Sequence, residues 1–258
     1  KKVNNTKIST NEELKSEIEK SNGNEITVEI DRNGKTEKKT VLPIKNTVGV
    51  YLLGAWVRDS CAGIGTMTYY DDSNNYFAAL GHGICDCDTA GLLPLKSGEA
   101  VRAEISGIEK SVCGKAGSFC GYFTDVKFGN LSVNSPLGIF GDLTSENYKR
   151  NKKYLIANDD EVKTGKAVMV TTPVGDTPQE YDIEIKRICN RDMTSNENFV
   201  IKITDSRLLE NCGGIVQGMS GSPILQNGKF VGAVTHVLID DPARGYGIFM
   251  ENMLKMAG

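Results

Sequence analysis

Apolar residues from position 47 onward recur in short runs rather than at helical spacing. Strand-like stretches fall at 48–53, 64–70, 76–80, 100–108, 126–133, 166–172, 180–188, 198–204 and 230–239, with Gly, Asn and Asp between them. Many short strands punctuated by turn residues predict an all-β sandwich or a pair of barrels. Ile224-Leu225, a turn at Asn227-Gly228 and Phe230-Val231-Gly232-Ala233-Val234 read as a hairpin. Helical periodicity in this part is confined to 206–210 and 251–256.

The first 44 residues have a different texture. Residues 10–21 predict a helix, with Thr10 or Asn11 as N-cap, Glu12 and Glu13 in the first turn, and Leu14 and Ile18 four apart. Residues 25–30 alternate as a strand, Asp31-Arg32-Asn33-Gly34 makes a hairpin turn, and 36–42 returns before Pro43.

Composition adds mostly exclusions. The chain has 258 residues, 39% hydrophobic and 24% charged, with net charge −3. That is ordinary for a globular protein of one large or two small domains. There is no strong basic stripe, so nucleic acid is not an expected partner; the basic run at 149–153 reads as a solvated loop. No apolar run of about 18 residues occurs, so this stretch is not expected to span a membrane, and no signal peptide is visible. The seven cysteines are Cys61, Cys85, Cys87, Cys113, Cys120, Cys189 and Cys212. Cys85, Cys87, Cys113 and Cys120 offer four thiolates without the usual CxxC spacing for zinc. Disulfides and free buried thiols are the other readings, and no cofactor or metal is expected.

Gly218-Met219-Ser220-Gly221-Ser222-Pro223 is the most informative stretch. Glycines beside a serine let the backbone turn at positive φ and aim N–H groups at one point, as an oxyanion hole needs. The same composition also suits an ordinary turn between strands. The only two histidines are His82, closing the apolar run Ala78-Ala79-Leu80-Gly81, and His236, inside Val234-Thr235-His236-Val237.

GMSGSPILQNGKFVGAVTHV followed by GYGIFM resembles the serine-to-end segment of chymotrypsin-like peptidases. With VGVY (48–51), AGIGTMTYY (62–70), ALGHGI (79–84), NSPLGIFG (134–141) and VIKITDSRLLENCGGIVQGMSGSPI (200–224), the chain resembles the SpoIVB family of sporulation serine peptidases over 45–258. The resemblance implies an all-β, chymotrypsin-like double β-barrel. Residues 1–44, a helix plus hairpin, resemble the C-terminal half of a PDZ domain, so this chain is expected to begin within that module and to lack its peptide-binding edge.

Carried onto this sequence, the resemblance implies that Ser220 is the nucleophile, His82 the general base, and the N–H groups of Gly218 and Ser220 the oxyanion hole. Residues 234–237, with Thr235 and His236, become a wall of the substrate pocket; a neutral His236 there hints at a polar P1 residue. The family's acid falls on Asp205, 15 residues before Ser220. The spacing of a chymotrypsin triad, about 45 and about 93 residues, instead favours Asp125, 43 residues after His82 and 95 before Ser220. Asp205 has a second reading, as a brace for the loop that feeds Ser220; Asp86, Asp88 and Asp142 read as turn residues. The implied activity is cleavage of a regulatory protein, and of the peptidase itself, during spore formation. The implied place is the space between mother-cell and forespore membranes, reached through an N-terminal anchor not in this chain. Competing readings are a non-catalytic peptidase-like scaffold, a peptide-binding module, and a metal or thiol enzyme built on the cysteines.

Overall fold

The computed structural model describes residues 1–32, 34–144 and 152–256. Asn33 of the expected turn and Lys149, Arg150 and Asn151 of the basic run lie outside the described residues. Two compact units emerge, Lys1–Ala62 and Gly63–Gly258.

In the first unit, β1 (Lys2–Val3), β2 (Thr6–Lys7), β3 (Ile26–Arg32) and β4 (Lys35–Val41) form a sheet in the order β2-β1-β3-β4. Helix α1 (Asn11–Lys20) starts at a capping box: the Glu13 N–H donates to the Thr10 hydroxyl at 3.2 Å, and the Thr10 N–H donates to the Glu13 carboxylate at 3.3 Å. Its buried residue, Ile18, packs with Val3 and Ile26. A short hairpin of β5 (Ile44–Lys45) and β6 (Tyr51–Leu52) completes the unit, which therefore runs past residue 44, where the composition changes.

In the second unit, β7 (Met67–Asp71), β8 (Tyr76–Ala79), β9 (Glu99–Glu109), β10 (Ser118–Ser135) and β11 (Gly138–Leu143) form an antiparallel sheet ordered β7-β8-β11-β10-β9. After β12 (Leu155–Ile156) come β13 (Gly165–Thr171), β14 (Gln179–Ile188), β15 (Phe199–Ile203), β16 (Pro223–Gln226), β17 (Lys229–Val237) and β18 (Arg244–Phe249). They pair in the order β17-β16-β13-β14-β15-β18, and β17 also pairs with β18, so six strands close into a barrel; β12 adds to β17 in parallel. Helix α2 (Ser206–Cys212) links β15 to the segment before β16, and α3 (Met250–Leu254) follows β18. One closed barrel and one open sheet make the chymotrypsin-like plan. The expected first barrel is a half-barrel, with β7 and β9 as free edges of its sheet.

Period-two alternation fills the closed barrel. Tyr181, Ile183 and Ile185 of β14, Phe199, Ile201 and Ile203 of β15, and Met169 of β13 are all buried in one cluster that also takes Met219 and Val234. Each such side chain contributes roughly 1.5–3 kcal/mol by leaving water. A smaller cluster of Ala78, Leu137 and Phe140 from the open sheet packs on Ala233, Ile248 and Met253 from the barrel half. This seam brings the end of β8 against the segment after α2.

Candidate active site

The segment after α2 is shaped by glycines where backbones nearly touch. Helix α2 ends at Gly213 in the left-handed region. Gly221 has φ +91, and a Cβ there would lie 2.2 Å from the Thr66 carbonyl oxygen and 2.6 Å from the Leu80 nitrogen. Only glycine fits that approach. The N–H groups of this turn are almost all used: Gln217 donates to Gly117 O, Met219 to Val216 O, Gly221 to Val234 O and Ser222 to Met219 O. From Gln217 to Ser222, the N–H groups of Gly218 and Ser220 alone have no acceptor among the described residues. Two unsatisfied donors, the serine's own N–H and that of the residue two before it, are what an oxyanion requires. Ser220 is half-buried, and its Oγ donates to the Thr235 carbonyl oxygen at 3.0 Å.

His82 reaches the same place from the open sheet. Thr66 stitches the two sides: its N–H donates to Ser220 O at 3.0 Å, its hydroxyl to Gly218 O at 2.8 Å, and its carbonyl accepts from Leu80 N–H at 3.2 Å. Beyond β8, Leu80 takes φ +71 while Gly81 N–H donates to Ala79 O at 2.9 Å. A bulky residue in this γ-turn is strained, and such strain persists where neighbours over-determine it. The turn delivers His82 half-buried, its Nδ1 2.9 Å from the Gly83 carbonyl oxygen. A carbonyl only accepts, so Nδ1 carries the proton and Nε2 is the free base. Ser220 and His82 are brought to one seam without a direct hydrogen bond between them.

His236 lies beside them, its ring 5.1 Å from that of His82 and tilted 36°. Crowding by protein atoms, and then the His82 ring, hold its pKa below the ordinary histidine value. The His236 side chain is nonetheless exposed to solvent. Thr235 is buried, and its hydroxyl donates to Asn196 O at 2.8 Å. Its backbone carbonyl rather than its side chain therefore faces Ser220.

Neither expected aspartate is hydrogen-bonded to His82. Asp205 caps α2: its Oδ1 accepts from the Arg207 N–H at 2.9 Å and Arg207 Nε at 3.0 Å. Its Oδ2 accepts from Arg207 Nη2 at 2.7 Å and from the Asp182 N–H at 3.3 Å. Four bonds use the acceptor capacity of a carboxylate, and the Arg207 guanidinium foremost pulls its pKa down to about 2. The carboxylate thereby ties the start of α2 to β14. Asp125 sits exposed in a break of register in β10 between Phe123 and Lys127. Asp86 holds its own turn, accepting from the N–H groups of Asp88 and Thr89.

The seven cysteines form no disulfide; six are exposed, and burial pushes the thiol pKa of the seventh, Cys212, up to about 11. No group of three or more metal-ligating side chains occurs among the described residues. No helix of the described residues is long and apolar enough to cross a membrane. Two contributors escape sequence reasoning. Thr66 gives no signal beyond its place before a strand. Asn134, whose side chain bonds the backbone of Ile84 and Leu93 beyond His82, opens the block Asn-Ser-Pro-Leu-Gly, and the sequence assigns it no role.

A family profile described as SpoIVB peptidase S55 matches residues 49–254. Among solved structures, the active form of the Rv3671c protease from M. tuberculosis is similar at 17% identity and TM-score 0.36, covering 59% of this chain and 70% of that one. The inactive form of the same protease is similar at 17% identity and TM-score 0.35, covering 52% and 68%. No curated protein sequence matches this chain.

Proposed function

This chain belongs to the SpoIVB peptidase S55 family and is a serine peptidase; we propose that Ser220 is its nucleophile and His82 its general base. One observation carries the proposal: the N–H groups of Gly218 and Ser220 lack acceptors while their neighbours' are bonded. Ser220 Oγ turns from Thr235 O toward His82 Nε2 and attacks the scissile carbonyl carbon. Its proton passes to Nε2, and the oxyanion accepts from the two free N–H groups. The peptide C–N bond breaks, His82 protonates the leaving amine, and water activated by His82 then releases the acid from Ser220.

The family supports a finer reading: a regulatory protein as substrate, self-cleavage, and signalling that activates an intramembrane protease and a late sigma factor. It also supports a location between mother-cell and forespore membranes of a spore-forming bacterium. His236 on the approach to Ser220 favours a polar P1 side chain. An unchanged cleavage preference in His236→Ala would remove that part.

A non-catalytic scaffold is the competing reading, and one observation favours it: the Ser220 hydroxyl is bonded to Thr235 O rather than to His82. A fluorophosphonate separates the two. The folded protein is expected to be labelled, and Ser220→Ala and His82→Ala to lose labelling by a factor on the order of 10⁴ or more. No labelling of the folded protein, or equal labelling of Ser220→Ala, sinks the peptidase assignment of this serine.

A further inference from the structure

His82 has a hydrogen-bonded orienting group, and it is a backbone carbonyl. Gly83 C=O, which takes the Nδ1 proton, shares its peptide unit with the N–H of Ile84. That N–H donates to Asn134 Oδ1 at 2.8 Å. The same side chain donates through Nδ2 to Ile84 O and to Leu93 O, each at 2.9 Å. One acceptor facing an N–H and two donors facing carbonyls leave a single satisfied orientation of the amide. Asn134 is at the end of β10, one residue before the turn into β11, and the turn presses on the same peptide. A Cβ on Gly83 would lie 2.6 Å from Ser135 O.

On this basis, and resting on the Ser220–His82 reading, we infer that Asn134 is the positioning residue for the base, acting through the Gly83–Ile84 peptide. The amide holds that peptide in plane and polarises it. The hydrogen-bonded series runs from Asn134 Oδ1 through Ile84 N–H and Gly83 C=O to His82 Nδ1–H. Linked hydrogen bonds of this kind reinforce one another. The result is the tautomer with Nε2 free, the task that a carboxylate performs in a Ser-His-Asp triad. Asp205 and Asp125 need not reach His82 for the base to be set.

The test reads the tautomer directly. With two histidines in the chain, a long-range ¹H–¹⁵N spectrum carries two ring systems, and His236→Phe assigns them. The protein is expected to show neutral His82 as the Nδ1–H form. An Nε2–H form or an even mixture overturns the inference without any variant of Asn134. Asn134→Ala is expected to melt cooperatively, to lose the tautomer preference, and to slow maximal fluorophosphonate labelling about 10- to 100-fold. Half-saturating reagent should stay within about twofold, because the defect lies in the base and not in binding. Asn134→Asp keeps the acceptor for Ile84 N–H but loses both donors, so it should retain more of the tautomer than Asn134→Ala. An unchanged tautomer and labelling rate in folded Asn134→Ala refutes the role. If Asn134→Ala fails to fold, the parent spectrum and Asn134→Asp decide. If fluorophosphonate labels nothing, the peptidase reading fails while the tautomer spectrum still judges the relay.

Discussion

Ser220 stands on the closed barrel and His82 on the open sheet, and the two supports hold their residues by different means. On the barrel side Met219, next to the serine, is fully buried in the large cluster with Phe199, Ile201 and Phe249. Close packing leaves such a position little freedom. On the sheet side the buried cluster is small and borrows Ala233, Ile248 and Met253 from the barrel half. The β9–β10 hairpin leaves Tyr122, Phe123 and Val126 about half exposed. His82 is held by a strained turn at Leu80, by Gly83 and by the Asn134 clamp. Apolar packing thus joins hydrogen bonds in setting the proposed nucleophile, whereas hydrogen bonds dominate at the proposed base.

The seam between the two is where a change should cost most. Gly221→Ala forces a side chain onto φ +91 with Thr66 O at 2.2 Å. The left-handed penalty of about 1–2 kcal/mol joins an overpacking cost of about 3 kcal/mol. Urea denaturation should show a loss of about 4–5 kcal/mol, and any folded fraction should label at least about 10³-fold more slowly because Ser220 and its N–H are displaced. Gly228→Ala is the control: φ is +76, in the β16–β17 turn, with nothing within 4 Å. It should cost only the left-handed penalty, about 1–2 kcal/mol, with labelling unchanged. Equal effects of the two substitutions would remove the seam from the account.

Next in size is the contrast between the supports themselves. Phe249 is 1% exposed in the barrel, its ring 5.4 Å from Phe199. Phe249→Ala should cost about 3–4 kcal/mol, read as a lower denaturant midpoint with unchanged slope. Tyr122 is 56% exposed on the sheet hairpin. Tyr122→Ala should cost under about 1 kcal/mol. A comparable loss from Tyr122→Ala would mean that the open sheet is covered by something its packing does not reveal.

The same division explains what the sequence disclosed. Barrel strands β13 and β14 announce themselves because one face is buried and the other is not, and β15 by its apolar run; the stretches at 180–188 and 198–204 fall close to β14 and β15. The sheet is harder to read. Strand β11, with Gly138, Phe140 and Gly141 buried and Ile139 half-buried, shows no clean alternation and carries glycines that look like turns. Strand β10 runs from Ser118, well before the 126–133 stretch, because bulges at Gly121 and around Asp125 break its period. The proposed nucleophile and base, Ser220 and His82, are legible from their glycine-flanked settings. The orienting group is not, since a backbone carbonyl has no letter in the sequence and Asn134 is 52 residues away from His82. Residue spacing points to Asp125 and family resemblance to Asp205. Neither kind of argument sees that Arg207, two residues on, occupies the Asp205 carboxylate.

That carboxylate offers the smallest effect and the finest distinction. The Arg207 guanidinium, with the N–H groups of Asp182 and Arg207, holds the Asp205 pKa near 2 in the folded chain, against about 3.9 unfolded. A lowered folded pKa gives stability that is fully present above about pH 4 and is lost as pH falls through about 2. The side chain of Arg207 is 59% exposed, so solvent screens part of the pairing. The loss should be only about 1 kcal/mol between pH 5 and pH 2, and Arg207→Ala should shrink it. Asp205→Asn retains a helix cap and should label with fluorophosphonate within about tenfold of the parent at pH 7. A drop near 10⁴-fold, as a triad acid would give, would instead mean that Asp205 leaves Arg207 for His82 in the working enzyme. The base would then be set from the barrel side after all, and the division between packing and hydrogen bonding would fail at its most exposed point.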